Sequence, residues 1–210
     1  ELKGQDKMKP GKNGIIEKLS SSSINEIYKL IRKILNKAVT WGYLETNPVN
    51  KIKAPNIDKK EKETYTRKEL LQILEYLKQE DVITEATYNI AICAGLRRSE
   101  ILGLHLDDLD LVNGNIYIKR DAVWDDELKM VVEKETKTKD SVRKVPIPLF
   151  CCEAIYECIK LRERIIHRFE KKYFNYIAPD NIFLSKFGKI MHPDTISSKW
   201  TKFCDKYDEL

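Results

Sequence analysis

Apolar residues recur at helical spacing along most of the chain and at alternating spacing over one middle stretch. Ile24, Ile27, Tyr28, Ile31, Ile34, Leu35, Ala38 and Val39 repeat every three or four residues. This predicts a helix of about five turns, with Lys29, Arg32, Lys33 and Lys37 on its other face. Ser23-Ile24-Asn25-Glu26 has capping-box spacing for its start, and Gly42, just past Trp41, suits its end. Asn47-Pro48 stops the region. Thr66-Arg67-Lys68-Glu69 is a second capping box, opening a helix with Leu70, Leu71, Ile73, Leu74 and Leu77 inward. Residues 83–94 continue helical up to Gly95, and Ser99 with Glu100 reads as the cap and first turn of the next helix.

Beyond Leu104 the period drops to two. Leu109 and Leu111 precede Asn113-Gly114, a two-residue hairpin signal, and Ile116-Tyr117-Ile118 follow. Residues 121–130 are polar apart from Val123 and Trp124 and read as a long excursion. Met130-Val131-Val132 and residues 142–147 supply further strands, so a small antiparallel sheet of about three strands is expected, with Pro146 and Pro148 at an edge. A long helix over 150–172, a short apolar piece at Ile182-Phe183-Leu184, a turn at Gly188 and a helix from Pro193 complete the chain. The fold class is therefore α+β: mainly helical, with a small three-stranded antiparallel sheet.

Pro55 and the run Lys59-Lys60-Glu61-Lys62 mark an exposed linker, which divides the chain into residues 1–51, a linker over 52–63, and residues 64–210. Charge follows the same division. Residues 1–62 hold 14 Lys and Arg against 7 Asp and Glu, whereas residues 63–210 hold 24 against 26, for a net +5. A basic first third suits a polyanionic partner, and equally a solvated lysine-rich face. No apolar run approaches the roughly 18–20 residues of a membrane span, and no signal-peptide pattern opens the chain. Five cysteines without paired spacing point to free thiols and a cytoplasmic setting, with Cys93 and Cys158 as core residues.

Several chemistries are excluded. There is no C-x-x-C and no Cys/His ligand pattern, so no metal is expected. Neither G-x-x-x-x-G-K-[ST] nor G-x-G-x-x-G occurs, so no nucleotide cofactor is indicated. His105, His167 and His192 have no partner spacing and read as surface or helix-end residues. What remains is the corner Ala94-Gly95-Leu96-Arg97-Arg98-Ser99-Glu100, a lysine-bearing turn at Thr136-Lys137-Thr138-Lys139-Asp140-Ser141, and basic helices. The corner reads either as an ordinary helix–Gly–helix turn with surface arginines or as a phosphate site at a helix start. Converging cations suit phosphoryl transfer, with a lysine as general acid.

Four stretches in order carry a family likeness: residues 22–48, ending Ala38-Val39-Thr40-Trp41-Gly42-Tyr43-Leu44 and Asn47-Pro48; Ala94-Gly95-Leu96-Arg97-Arg98-Ser99-Glu100; Lys137-Thr138-Lys139-Asp140-Ser141 with Arg143 and Val145-Pro146-Ile147-Pro148; and Ile182-Phe183-Leu184 with Gly188 and the helix from Pro193. Here the sequence resembles a tyrosine recombinase of the phage integrase family, above all the integrases of phages and conjugative elements of low-GC Gram-positive bacteria. The resemblance implies that residues 1–51 are the last part of a helical core-binding domain and residues 64–210 the first part of a catalytic domain. It implies Arg97 as the first catalytic arginine, on a non-bridging oxygen of the scissile phosphate, and Lys137 as the lysine that protonates the departing 5′-hydroxyl, with Lys139 in the same turn as an alternative. Glu100 would brace the arginine motif, and Arg98, Lys199 and Lys202 would be further DNA-backbone candidates. No metal or cofactor is implied. The partner is duplex DNA, with self-association to a tetramer on it.

One departure limits the activity expected. The family continues into a His-x-Leu-Arg-His cluster and a nucleophilic tyrosine, whereas these 210 residues contain no His-x-x-Arg pattern. Tyr207 has no activating neighbour in sequence and reads as structural. The chain is thus expected to be a fragment that binds DNA without completing strand exchange. The alternative is a non-catalytic DNA-binding regulator on a recombinase scaffold.

Overall fold

The structure, a computed structural model, describes residues 19–57, 64–135 and 142–207. The chain divides into two compact units, Glu1–Thr64 and Tyr65–Leu210. No helix among the described residues is long and apolar enough to cross a membrane.

In the first unit, helix α1 spans Ser21–Thr40. Its cap is Ser20, whose hydroxyl accepts the Ser23 N–H at 3.1 Å. The box expected at Ser23 is therefore displaced by three residues: the serine run offers several caps, and Glu26 pairs instead with Lys29 at 2.7 Å. The Gly42 and Tyr43 amides close the last turn on the carbonyls of Val39 and Ala38. A 3-10 turn, Pro48–Lys51, folds back on α1. Buried Asn47 holds it there, accepting from Val49 N and donating to Arg32 O at 3.1 Å and Asn36 Oδ1 at 2.6 Å. Ile31 and Ile34, expected inward, are exposed, because α1 has only this turn to pack on among the unit's described residues.

The second unit opens with α2, Arg67–Leu77, capped reciprocally by Thr66 and Glu69 as the sequence predicts. Helix α3, Val82–Ala94, starts on the Asp81 carboxylate and is buried almost all round. Short α4 spans Arg98–Leu102. Strands β1, Leu109–Asp110, and β2, Asn115–Ile118, follow, then β3, Arg120–Asp125, β4, Met130–Glu135, and β5, Arg143–Pro146. Long α5, Leu149–Lys172, and α6, Pro193–Lys206, complete the unit. Ile73, Leu77, Ile90, Leu102, Ile116, Ile118 and Phe203 are buried in one core that the helices share with the sheet.

The fold is α+β with small antiparallel sheets, and the three-stranded one has order β1-β2-β5 with Pro146 on its outer strand. Two details differ from expectation. The β1–β2 connection has four residues, 111–114, because Asp110 accepts the Asn113 N–H and closes a wider loop. Residues 121–130 are not an excursion: β3 and β4 form a separate two-stranded ribbon, registered from Arg120↔Glu135 to Asp125↔Met130. Its turn is set by Asp125, which accepts from the Glu127 and Leu128 amides, both at 3.0 Å. The ribbon buries little beyond Ala122 and Val131, so it has no alternating apolar face to read.

Candidate active site

The site grows from the break between α3 and α4. Gly95 closes α3 in the left-handed region at φ 62°, ψ 28°, where a side chain would be strained. Buried Leu96 anchors the turn, and Arg97 (φ −69°, ψ 152°) is the N-cap of α4. Ser99, predicted as the cap, lies inside the first turn. The cap is supplied from the third helical residue: Glu100 reaches back and accepts the Arg97 N–H at 2.8 Å, which works whatever residue stands at the cap.

Glu100 is the centre of the cluster. Its side chain is 1% exposed. Oε1 accepts from Arg97 Nη1 at 3.0 Å and Arg143 Nη1 at 2.9 Å, and Oε2 accepts from Arg143 Nη2 at 3.0 Å. Burial pushes this carboxyl up, but the Arg143 fork, the Arg97 N–H and the two guanidinium charges outweigh it and hold the group below the usual range. Arg143 is correspondingly held more firmly protonated by its bonds to Glu100. The Arg97 side chain remains 73% exposed. One edge of its guanidinium is fixed on a buried anion while the rest faces solvent, a geometry suited to forked donation to a second anion.

A second network fixes α4 from the other side. Gly103 packs so closely on β3 that an added Cβ would lie 2.6 Å from Arg120 O. Buried Asp108 holds Arg120 Nη1 at 2.5 Å and Lys119 Nζ at 2.7 Å. Asn181 donates to Leu102 O at 2.9 Å and to Glu133 at 2.7 Å, and Glu133 also meets His105 Nε2 at 2.6 Å. His105 stands at a helix end, one of the two places expected for it, as the N-cap of the 3-10 turn Leu106–Asp108, and its partly buried ring bridges the α4 region and the β3–β4 ribbon rather than lying at the surface. His105, Asp107 and Asp108 have ligand atoms close enough to share a metal ion, but Asp108 is already neutralised by two protein cations.

The other predicted site residues fall in different places. Arg98 ties α4 to α6 through Asp194 at 3.0 Å and Ser197 at 2.9 Å. Lys199 ties α6 to the start of α3 through Asp81 at 2.5 Å and Thr84 at 3.0 Å. Both cations are thus used within the fold, unlike Lys202, which is exposed. Lys137 and Lys139 lie outside the described residues; their segment links β4 to β5, which begins at Arg143. Tyr207 stacks on Tyr76 at 4.2 Å and bonds Glu80 at 3.1 Å. Arg143 is the participant to which the sequence reading assigns no role. Alternation along β5 was the available signal: it puts Arg143 on the same side as core-packed Val145, where a cation needs an anionic partner.

The described fold is a mainly helical domain with small antiparallel sheets, presenting an arginine braced by a buried carboxylate. The pattern of the phage integrase family matches residues 63–209, and the chain belongs to that family, the tyrosine recombinases. It is 29% identical over 129 residues to the ICEBs1 integrase of Bacillus subtilis, covering 61% of this chain and 34% of that protein. It is 26% identical over 201 residues to a XerC-like tyrosine recombinase of Caldanaerobacter subterraneus subsp. tengcongensis, covering 89% and 51%. The chain thus spans about half the length, or less, of these curated relatives. Among solved structures, the Tn1549 transposon integrase in complex with a circular intermediate DNA superposes with a TM-score of 0.74 at 22% identity, over 91% of this chain and 60% of that one. A lambda integrase dimer bound to a core site gives 0.55 at 14% identity, over 87% and 45%. These likenesses establish the fold.

Proposed function

We propose that the chain is the DNA-binding and partial catalytic portion of a site-specific recombinase that cuts and rejoins duplex DNA through a 3′-phosphotyrosine. The observation that carries this reading is the Glu100 cluster, which fixes one edge of Arg97 on a buried carboxylate and leaves the rest exposed to a phosphate. In this reading Arg97 donates to a non-bridging oxygen, where charge develops during transfer. Lys137 or Lys139, in the segment ahead of Arg143, protonates the departing 5′-hydroxyl. Glu100 and Arg143 position Arg97. Residues 1–51 are the end of a core-binding domain, residues 52–63 a linker, and residues 64–210 the beginning of the catalytic domain. Residues Lys202 and, when released from their internal partners, Arg98 and Lys199 add contacts to the DNA backbone. The protein acts in the cytoplasm and assembles as a tetramer on DNA.

The 210 residues hold no His-x-x-Arg pattern, and Tyr207 bonds its hydroxyl to Glu80 and stacks on Tyr76, so in this reading they bind DNA on their own without cleaving it. The test is a nicked duplex substrate that traps the covalent intermediate. A chain continuing into the second cationic cluster should form a DNA adduct, and Arg97→Ala should abolish it. An adduct formed by the 210-residue chain would overturn this assignment. DNA binding without an adduct in the longer chain would favour a regulator on the recombinase scaffold.

A further inference from the structure

Away from the Glu100 cluster, α2, α3 and α5 enclose a groove of about 830 Å³. Its floor is apolar, with Leu71, Leu74, Phe150 and Ala154. Leu71 is 56% exposed and Phe150 36%, so the groove leaves apolar surface open that a folded chain normally covers. Its rim is acidic: Glu75, Glu85, Glu153 and Glu157, against the single cation Lys78. Glu75 and Glu157 already pair with Lys78 and Lys160, both at 2.6 Å. Glu85 and Glu153 make no ion pair among the described residues. Burial raises the Glu85 carboxyl above its usual range, with only the charge of Lys78 opposing it. Between these helices the buried side-chain oxygen of Asn89 has no hydrogen-bond partner among the described residues.

Two unpaired carboxylates beside an apolar floor repel a DNA phosphate and attract a cation carried on an apolar body. An amphipathic helix has that form: residues at i and i+4 enter the groove while lysines or arginines flank it. We propose that this groove docks a Lys/Arg-bearing amphipathic helix of a protein partner, its apolar residues on Leu71, Leu74 and Phe150 and its cations on Glu85 and Glu153. None of these residues belongs to the Glu100 cluster, so docking leaves Arg97 free for DNA.

The probe is a fluorescein-labelled peptide of about four helical turns, with leucines on one face and lysines on the other. Fluorescence anisotropy with the 210-residue chain should give micromolar binding. The Glu85→Gln/Glu153→Gln variant should bind roughly tenfold more weakly, as two lost charge contacts allow. Leu71→Ser should weaken binding comparably. All variants should keep the parent's circular dichroism, which separates lost contacts from lost folding. A peptide of identical composition with scrambled periodicity should bind no better than the double variant does to the ordered one. Equal affinity for the scrambled peptide, unchanged affinity in the double variant, or no binding at all would overturn the proposal. So would a dimer in sedimentation that the same substitutions dissociate, since the groove would then belong to a second copy presenting the exposed Leu30, Lys33, Ile34 and Lys37 face of α1. Duplex DNA affinity is measured on the same variants and should not fall, which separates failure here from failure of the recombinase reading.

Discussion

Glu100 is where stability and the proposed chemistry meet. A carboxylate 1% exposed is tolerated because two guanidiniums and a backbone N–H satisfy it. Glu100→Gln keeps the shape but replaces one acceptor oxygen with an NH2 donor, so it cannot accept the two-bond fork of Arg143. The expected loss is about 2 kcal/mol of unfolding free energy by denaturant titration. The sign of its pH dependence follows from the lowered folded-state value: Glu100 contributes fully above the ordinary carboxyl value of 4.5 and loses that contribution as pH falls below it through the folded value. Asp81, also lowered through its bond to Lys199 against the effect of burial, titrates in the same acid window. The difference between parent and Glu100→Gln thermal midpoints should therefore shrink as pH falls below 4.5 toward the folded value if Glu100 is responsible, and a constant difference would refute it. Arg97 and Glu100 were legible as a motif because they are neighbours in sequence. Arg143 was not, since 43 residues separate it from Glu100 and only folding brings them to 2.9 Å.

At the scale of elements, what was legible depended on whether an element buries a face. Helices α2, α3, α5 and α6 each pack one stripe or more into the core, and their apolar periods predict them, with the Thr66–Glu69 box predicting the start of α2 as well. The β3–β4 ribbon buries only Ala122 and Val131, and the polar sequence of β3 concealed it, whereas Met130-Val131-Val132 of β4 read as a strand. What holds that ribbon to α4 is backbone proximity and polar bonding, neither of which leaves a hydrophobic pattern. Gly103 is the contact point. Gly103→Ala would bring a methyl group to 2.6 Å from Arg120 O, a backbone atom that cannot rotate away. The ribbon must shift, at a cost of about 1–3 kcal/mol. A thermal midpoint within a degree of the parent would show that the approach is looser than described. Lys199→Ala should cost far less, about 0.5–1 kcal/mol, because Asp81 is half exposed and the pair is accessible to water.

Across the whole molecule, the excess of positive charge lies in the first 62 residues, 14 cations against 7 anions, while the remainder is slightly acidic with 24 against 26. The residue proposed to hold the scissile phosphate is therefore in the less basic portion, and on the proposed reading most of the non-specific attraction to DNA comes from elsewhere. Helix α1 offers it: Lys29, Arg32, Lys33 and Lys37 are all exposed, and among the described residues only Lys29 has an acidic partner, Glu26, at 2.7 Å. Each cation that sits on a phosphate releases counterions, so its removal reduces the slope of log affinity against log salt by about 0.9 for duplex DNA. Lys33→Gln/Lys37→Gln should thus reduce the slope by about 2, and Arg97→Ala by about 1. The two effects should add, because the residues lie in separate compact units. Fluorescence titrations of a labelled duplex at several salt concentrations measure all three slopes. An unchanged slope in the α1 variant would mean that the basic face of this helix is simply solvated, and the polyanion would then have to be held by the second unit despite its net negative charge.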